Sequence, residues 1–218
     1  MQLDHQGLGN RFSSLLSAAR FPRAAYDQII FETQECVVCP TLGSILPNWL
    51  LVVPRRPVIN FAQWQAETGC LVGDVVNTIA REFELRHDRI VWFEHGPSEL
   101  GSLVGCGVDW AHLHILVDAP FSLSEMVAKS GETQPLDWRF FNASELYEMV
   151  DRSKSYLLVG SGNAGHLAQD VEHVGSQFLR RVIAELVGLN DEWNYRTSGH
   201  LANVQETLMR FPSKNFIA

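Results

Sequence analysis

Lysine is scarce in this chain of 218 residues, in which 17 basic side chains stand against 25 acidic ones. The lysines are Lys129, Lys154 and Lys214, and every other basic residue is an arginine. The formal net charge of −8 argues against a protein that binds bulk nucleic acid, because such binding needs a concentrated cationic surface. A small phosphate ligand needs only a few local donors, and arginine supplies them in bidentate form.

Cysteine and long apolar runs are also scarce. In a chain of this length, four cysteines do not make a disulfide framework; they are Cys36, Cys39, Cys70 and Cys106. No stretch approaches the ~18 apolar residues of a membrane span. The first residues lack the basic region and apolar run of a signal peptide. We therefore expect no membrane partner and a cytoplasmic location.

The composition is that of a folded globular chain, with 46% hydrophobic and 19% charged residues. Two β-branched runs at 35–39 and 49–53 are separated by turn residues, which predicts an antiparallel strand pair. The remaining pattern predicts strands over 89–95, 110–117 and 156–159, and helices over 61–85, 123–129, 142–151, 176–186 and 202–210. Strands and helices without regular alternation predict an α+β fold with a mostly antiparallel sheet.

The most informative segment is the predicted strand 110–117, which follows a glycine-rich loop at 96–107. Because side chains alternate along a strand, His112 and His114 would share one face about 6.6 to 7 Å apart, with Trp110 beside them. The backbone N–H groups of the loop could contact the oxygens of a phosphoryl group. Ser102, Gly105 and Gly107 suit that role.

Three interpretations of the histidine pair remain open at this point. A His-x-His strand can supply part of a metal site, although a metallo-hydrolase would want an acid where Leu116 stands. Neutral imidazole is also a nucleophile near pH 7, and a second imidazole can bind phosphoryl oxygens. The third interpretation is that both histidines are ordinary half-buried strand residues.

The stretch 105–117 resembles the motif of the histidine-triad (HIT) superfamily, in which three histidines alternate with hydrophobic residues. The segments 38–43 and 47–58 are similar to the paired strands of that family's nucleotide pocket, and 93–96 resembles the strand end before its loop. The match spans roughly residues 27 to 120. The segment 177–184 resembles, more loosely, a C-terminal helix of longer members.

The resemblance implies a mostly antiparallel HIT-like sheet and a nucleotide hydrolase or nucleotidyltransferase. In this family the middle histidine attacks an α-phosphate and forms a covalent nucleotidyl-histidine, which water or another acceptor resolves. By register His112 is that nucleophile, and His114 is the catalytic partner that binds phosphate. The substrate would be a nucleotide or nucleotide conjugate, with no cofactor and no metal.

The resemblance also suggests residues that contact the substrate. Trp49 falls where small members carry an additional histidine, Thr41 near a residue that contacts ribose, and Cys106 near a glutamine that touches phosphate. His95 ends a strand beside the loop, where it either lines the pocket or caps a turn. Gln177 and Arg181 are four residues apart and share one helical face, which is a pocket face or a solvent face.

Trp110 occupies the first triad position, and this departure leaves two functions to consider. An indole has one N–H donor and no acceptor, so it cannot hold a partner as a neutral imidazole does. We expect a divergent but active enzyme; the alternative is a nucleotide-binding or sensor protein with weak or lost catalysis. Residues 1–120 are interpreted as the HIT-like catalytic domain and 121–218 as an α/β extension packed on the same core. Small family members form two-fold dimers, so a homodimer is expected by resemblance.

Overall fold

A computed structural model describes residues 7–17, 23–105, 108–142 and 144–213 of the chain. Its centre is one sheet of eight antiparallel strands in the order β1-β2-β3-β5-β4-β7-β8-β6. The strands are β1 (Phe31–Glu32), β2 (Cys36–Pro40), β3 (Trp49–Pro54), β4 (Ile90–Gly96), β5 (Leu113–Val117), β6 (Arg139–Asn142), β7 (Tyr156–Ser161) and β8 (Ala164–Gln169). The structure is therefore α+β with a mostly antiparallel sheet, as the sequence predicts.

The helices divide between the two faces of the sheet. They are α1 (Gly7–Leu16), α2 (Phe61–Thr68), α3 (Val72–Glu82), α4 (Leu123–Thr133), α5 (Leu146–Met149), α6 (Phe178–Leu186) and α7 (Leu201–Arg210). In β3, Leu50 and Val52 pack with α2 and α3 on one face. The alternate residues Trp49 and Leu51 face α6 and α1, respectively, on the other. None of the described helices is long and apolar enough to cross a membrane.

The residues after 120 continue the same sheet. β4 pairs with β5 along one edge and with β7 along the other, so Phe93 lies opposite both His114 and Val159. On the helix-α6 face, Trp49 of β3 and Phe178 of α6 belong to one buried cluster. The C-terminal residues thus complete the structure that the N-terminal strands begin, and they form one wall beside the histidines.

Two boundaries near the site differ from the sequence prediction. The predicted helix 61–85 is two helices, because Gly69 adopts a left-handed conformation (φ 72°) that ends α2. The predicted strand 110–117 begins at Leu113, and Ala111 instead donates its backbone N–H to the carbonyl of Val58. His112 therefore precedes the strand that carries His114.

The other differences lie in the C-terminal part. The predicted helix 142–151 is reduced to α5, and the residues before it form β6. β8 was not predicted, because its sequence AGHLAQ is poor in β-branched residues. It is a strand because it pairs with β7 on one side and with β6 on the other. The helices predicted over 176–186 and 202–210 are present as α6 and α7.

Candidate active site

A cleft with about 450 Å³ of empty space, its open mouth included, lies on the α6 face of the sheet and opens to solvent. Its polar lining consists of His112, His114, Thr41, Arg11 and Arg180, together with Tyr195. The two histidine rings are 5.1 Å apart between centroids and inclined at 67°. The structure therefore brings the predicted catalytic pair into one cleft with two guanidinium groups.

His112 is held by a backbone carbonyl. Its Nδ1 lies 2.9 Å from the carbonyl oxygen of Trp110, which can only accept a hydrogen bond. Nδ1 therefore carries the proton, and the lone pair of the neutral ring is on Nε2. Burial lowers the pKa of His112 to about 4, so the ring is neutral at pH 7. Phe12 of α1 contacts this ring at 5.5 Å between centroids.

His114 has the opposite tautomer. The indole Nε1 of Trp49 donates to its Nδ1 at 3.0 Å, so Nδ1 accepts and Nε2 carries the proton. The ring stacks on Phe93, with centroids 4.4 Å apart and planes within 6°. Burial, followed by the charges of His112 and Arg180, lowers its pKa well below the usual value. At neutral pH, His114 is thus an uncharged hydrogen-bond donor at Nε2.

Arg180 of α6 is the site residue that the sequence analysis missed. Its side chain is buried, it donates to the backbone carbonyls of Trp193 (3.0 Å) and Gly43, and its guanidinium lies over the ring of Trp49 at 4.7 Å. Three and four residues later, Ile183 and Ala184 are also buried on this helix. That spacing places Arg180 on the core face of the helix, but it does not indicate that this face also lines a cleft.

Arg11 was also missed, because α1 lies before the residues that carry the motif. Its Nε pairs with Asp27 at 2.7 Å and its Nη2 donates to the carbonyl of Tyr26 at 2.9 Å. The guanidinium lies 5.3 Å from the ring centroid of Phe12, the residue that contacts His112. Nothing in the sequence of α1, GLGNRFSSLL, marked this arginine as part of a site.

Gln177 and Arg181, which the resemblance placed in the pocket, have other positions. Gln177 is buried at the start of α6 with φ 57°; its Nε2 donates to Asn194 and its Oε1 accepts from the N–H of Tyr195, each at 3.3 Å. It supports the loop from which Tyr195 lines the cleft. Arg181 donates to the carbonyl of Val174 and does not line the cleft.

His95 and Trp110 act beside the cleft rather than in its lining. The backbone N–H of Leu179 donates to Nε2 of His95 at 3.1 Å, so this histidine caps the first turn of α6. Its ring is 6.4 Å from that of His114 between centroids, and burial lowers its pKa to about 3. The indole of Trp110 donates to the carbonyl of Pro54 at 2.9 Å. Trp110 therefore contacts His112 through its main-chain carbonyl and not through its side chain.

The remaining predicted residues belong to two loops. Thr41 lines the cleft, and its hydroxyl lies 3.4 Å from the carbonyl of Leu42. In the glycine-rich loop, Ser102 accepts from the N–H of Val104 at 3.3 Å, and the carbonyl of Gly105 accepts from Val108 at 3.1 Å. These contacts are local turns. Cys106 and Gly107 lie outside the described residues.

The cysteine spacing does not provide a chelating pair. Cys36 is part of the buried cluster under α2 and α3, whereas Cys39 belongs to the cluster beside α1 on the other face of the sheet. Three residues apart on one strand, the two thiols point in opposite directions. In the described parts of the chain, no group of three or more histidine, cysteine or acidic residues is arranged to hold a metal ion.

Comparison with models of known protein families gave no match, and a search of curated proteins found none either.

Proposed function

We propose that this protein is a HIT-like nucleotide hydrolase or nucleotidyltransferase that attacks an α-phosphate through His112. The observation that carries the proposal is the pair of complementary tautomers in one cleft. His112 has a lone pair on Nε2 and His114 has a proton on Nε2, each fixed by a partner on Nδ1. A nucleophile and a phosphate-binding donor are the two groups that the proposed reaction requires.

The first step forms a bond between Nε2 of His112 and the α-phosphorus, while the bond from phosphorus to the leaving group breaks. The ring becomes positively charged, and its Nδ1–H stays directed at the carbonyl of Trp110. In the second step water or another acceptor forms a new bond to phosphorus, and the electron pair of the N–P bond returns to Nε2. The proton released by water passes to Nε2 and then to solvent, because the pKa of this ring is about 4.

The charge of the cleft suits a phosphorylated ligand. Arg11 and Arg180 both line it, and among its described lining residues there is no aspartate or glutamate. Because Asp27 pairs with Arg11, the charge of Arg180 is the main attraction for a negatively charged phosphate in a chain whose net charge is −8. The apolar lining of Phe12, Leu42, Leu51 and Val108 offers a surface for a nucleoside.

Trp110 at the first triad position is compatible with catalysis. The orientation of His112 depends on a main-chain oxygen of residue 110, which any amino acid supplies. Replacement of the first histidine thus leaves the nucleophile held in its reactive tautomer. This supports an active enzyme over the alternative of a nucleotide-binding or sensor protein that has lost its chemistry.

The expected homodimer stays a prediction. Both edges of β4 are paired within the chain, with β5 and β7, so a second copy cannot add to the sheet along this strand. Arg180 and Tyr195 reach the cleft from the same chain that carries the histidines. A single copy therefore supplies every residue on which this proposal rests.

Mass spectrometry of the protein quenched with nucleotides tests the proposal directly. We expect incubation with ATP or GTP, quenched in base to preserve the N–P bond, to give a nucleotidyl adduct on His112. His112→Ala should abolish both the adduct and turnover while the fold is kept. His87→Ala, which removes an exposed histidine, is the matched control and should behave as wild type.

A different result would support the alternative function. If nucleotides raise the melting temperature of the wild-type protein but give neither adduct nor turnover, the chain binds nucleotides without this chemistry. If His112→Ala hydrolyses nucleotides as fast as wild type, the assignment of the nucleophile is wrong.

A further inference from the structure

We infer that Arg180 binds the departing group of the substrate and thereby restricts the site to nucleotides whose leaving group is an anion, such as phosphate or pyrophosphate, rather than an amine. The inference rests on the proposed function and narrows it from nucleotide conjugates in general to phosphoanhydrides. Two features carry it: the placement of the two guanidinium groups around the histidines, and the absence of an acid among the described residues that line the cleft.

The contacts place the arginines on different sides of the imidazole pair. Arg11 lies against Phe12, which contacts His112. Arg180 lies against Trp49, which is bonded to His114. In agreement with this, Arg11 is the stronger of the two charges in lowering the pKa of His112, and Arg180 is the stronger at His114. Of the two arginines, Arg180 is therefore the one nearer to His114, and Arg11 is the one nearer to His112.

This placement fits an in-line displacement. When His112 attacks phosphorus, the bond that breaks lies on the far side of the phosphoryl group from Nε2. Arg11 is the arginine nearer to the attacking ring, so Arg180 is the better placed of the two to reach that side. Arg180 thus meets the negative charge that develops on the leaving oxygen.

Arg180 is also held in place before any ligand arrives. It is only 2% exposed, bonded to the carbonyls of Gly43 and Trp193, and flanked by the rings of Trp49 and Tyr195. A donor that is fixed in advance stabilises a transition state without a cost of reorganisation. Because a guanidinium stays charged at every physiological pH, it can neutralise an anion but does not act as an acid.

The protonation states in the cleft disfavour an amine leaving group. An amine must receive a proton as its bond to phosphorus breaks, whereas a phosphate departs as an anion without one. Burial keeps His112 and His114 neutral at pH 7, so neither is an imidazolium that could protonate the nitrogen. With no carboxylic acid among the described lining residues, the cleft favours a P–O bond over a P–N bond.

The test compares two substrates that give the same intermediate. Adenosine 5′-phosphoramidate and ATP would both leave an adenylyl group on His112, so they differ only in the departing group; GTP and guanosine 5′-phosphoramidate form a second pair. We expect wild-type kcat/KM to be higher for the triphosphate than for the phosphoramidate. Arg180→Gln should lower kcat/KM for the triphosphate by on the order of 10²-fold and that for the phosphoramidate by about threefold or less.

Two further variants separate this role from support of the fold. Arg180→Lys keeps the positive charge but loses the planar guanidinium with its paired N–H donors, so it should recover part of the loss for the triphosphate. This variant can also be measured if Arg180→Gln does not fold. Arg81→Gln removes an exposed arginine of α3 on the opposite face of the sheet and should leave both rates unchanged. Melting temperatures of all variants show how much each substitution affects stability.

An equal loss with both substrates in Arg180→Gln and Arg180→Lys would overturn the inference and make Arg180 a structural residue. A wild-type preference for the phosphoramidate would overturn it too. In both cases the adduct on His112 would still form, and the proposed function would stand. If no adduct forms with any of the four substrates, the proposed function itself fails.

Discussion

The indole Nε1 of Trp49 donates a hydrogen bond to Nδ1 of His114 at 3.0 Å, and the guanidinium of Arg180 covers the same indole at 4.7 Å. Trp49 is fully buried, so this contact has no competition from water. One side chain therefore sets the tautomer of His114, the histidine proposed to bind phosphate, and supports the arginine proposed to bind the leaving group. In sequence, Trp49 begins the apolar run 49–53, and the resemblance suggested it as a residue that contacts substrate.

Trp49→Phe removes that donor and should impair both catalysis and stability. Nδ1 of His114 would be left as a buried acceptor without a partner, at a cost of about 1–3 kcal/mol. We expect kcat/KM to fall by about tenfold or more, and nitrogen chemical shifts of His114 to change from one tautomer to a mixture. A shift pattern identical to that of wild type would contradict this role.

Trp64→Phe is the matched control. Trp64 is equally buried, on the α2 side of the sheet, and its indole Nε1 has no hydrogen-bond partner among the described residues. The same substitution there removes a ring of equal size without removing a hydrogen bond. It should lower stability by a packing cost alone and leave kcat/KM unchanged.

The low pKa of His112 predicts an unusual acid limb of the pH–rate profile. Only the neutral ring can attack, and with a pKa of about 4 roughly nine-tenths of it is neutral at pH 5, against about 3% for an ordinary histidine. We expect single-turnover adduct formation to stay nearly constant from pH 7 to 5 and to fall near pH 4. A rate that halves near pH 6.5 would show that His112 titrates as an exposed histidine.

The sequence predicted that His112 and His114 lie together because the signal for this pair is local. Two histidines two residues apart behind a glycine loop can be read from residues 96–117 alone. Of the two hydrogen bonds that set the tautomers, the bond from His112 to Trp110 is also local, but the bond from Trp49 to His114 joins residues far apart in sequence. The pattern of a short stretch of sequence does not predict such a contact, because the contact depends on the strand order β3-β5-β4.

The contacts of the C-terminal residues likewise could not be predicted from the sequence. Helix α6 was predicted from its apolar face, but which of its arginines reaches the cleft depends on how the helix is rotated against the sheet. His95, which bonds the N–H of Leu179, and Gln177, which starts the helix in a left-handed conformation, fix that start. Both are tertiary features, and the resemblance pointed to Arg181 where the packing places Arg180.

Buried histidines and a buried glutamate should make stability depend on pH in opposite senses. His95, His112 and His114 have lowered pKa values in the folded protein, so the unfolded chain binds more protons below pH 6.5 and their contribution to stability is lost as the pH falls. Burial raises the pKa of Glu94 to about 7, so in the folded protein this carboxyl keeps its proton up to a higher pH. Between about pH 4.5 and 6.5, its contribution to stability therefore falls as the pH rises.

Because three histidines outweigh one carboxyl, we expect the free energy of unfolding in urea to fall by about 2 kcal/mol per pH unit from pH 6.5 to 5. The Glu94→Gln side chain can still accept from the N–H of Phe61. It no longer takes up a proton, so the decline in the free energy of unfolding should become steeper by about 1 kcal/mol per pH unit. Glu206→Gln removes an exposed charge of α7 and should leave the slope as in wild type. A Glu94→Gln slope equal to that of wild type would show that this carboxyl is ionised throughout.

Gly43 should be sensitive to substitution because it joins the strand pair to the C-terminal wall of the cleft. It has φ 66°, its carbonyl accepts from Arg180, and a Cβ atom there would lie 2.5 Å from Cβ of Tyr195. Gly43→Ala must therefore push Tyr195 away and move the acceptor of Arg180.

Gly162→Ala is the matched control. Gly162 has φ 55°, so an alanine there meets the same backbone strain, but no atom lies within 4 Å of the added Cβ. We expect each alanine to cost about 1–2 kcal/mol of strain, and only Gly43→Ala to lose more than that in stability and to lower kcat/KM for ATP. Equal effects of the two substitutions on both measurements would mean that the cleft tolerates movement of this wall, since the strain alone would then explain Gly43→Ala.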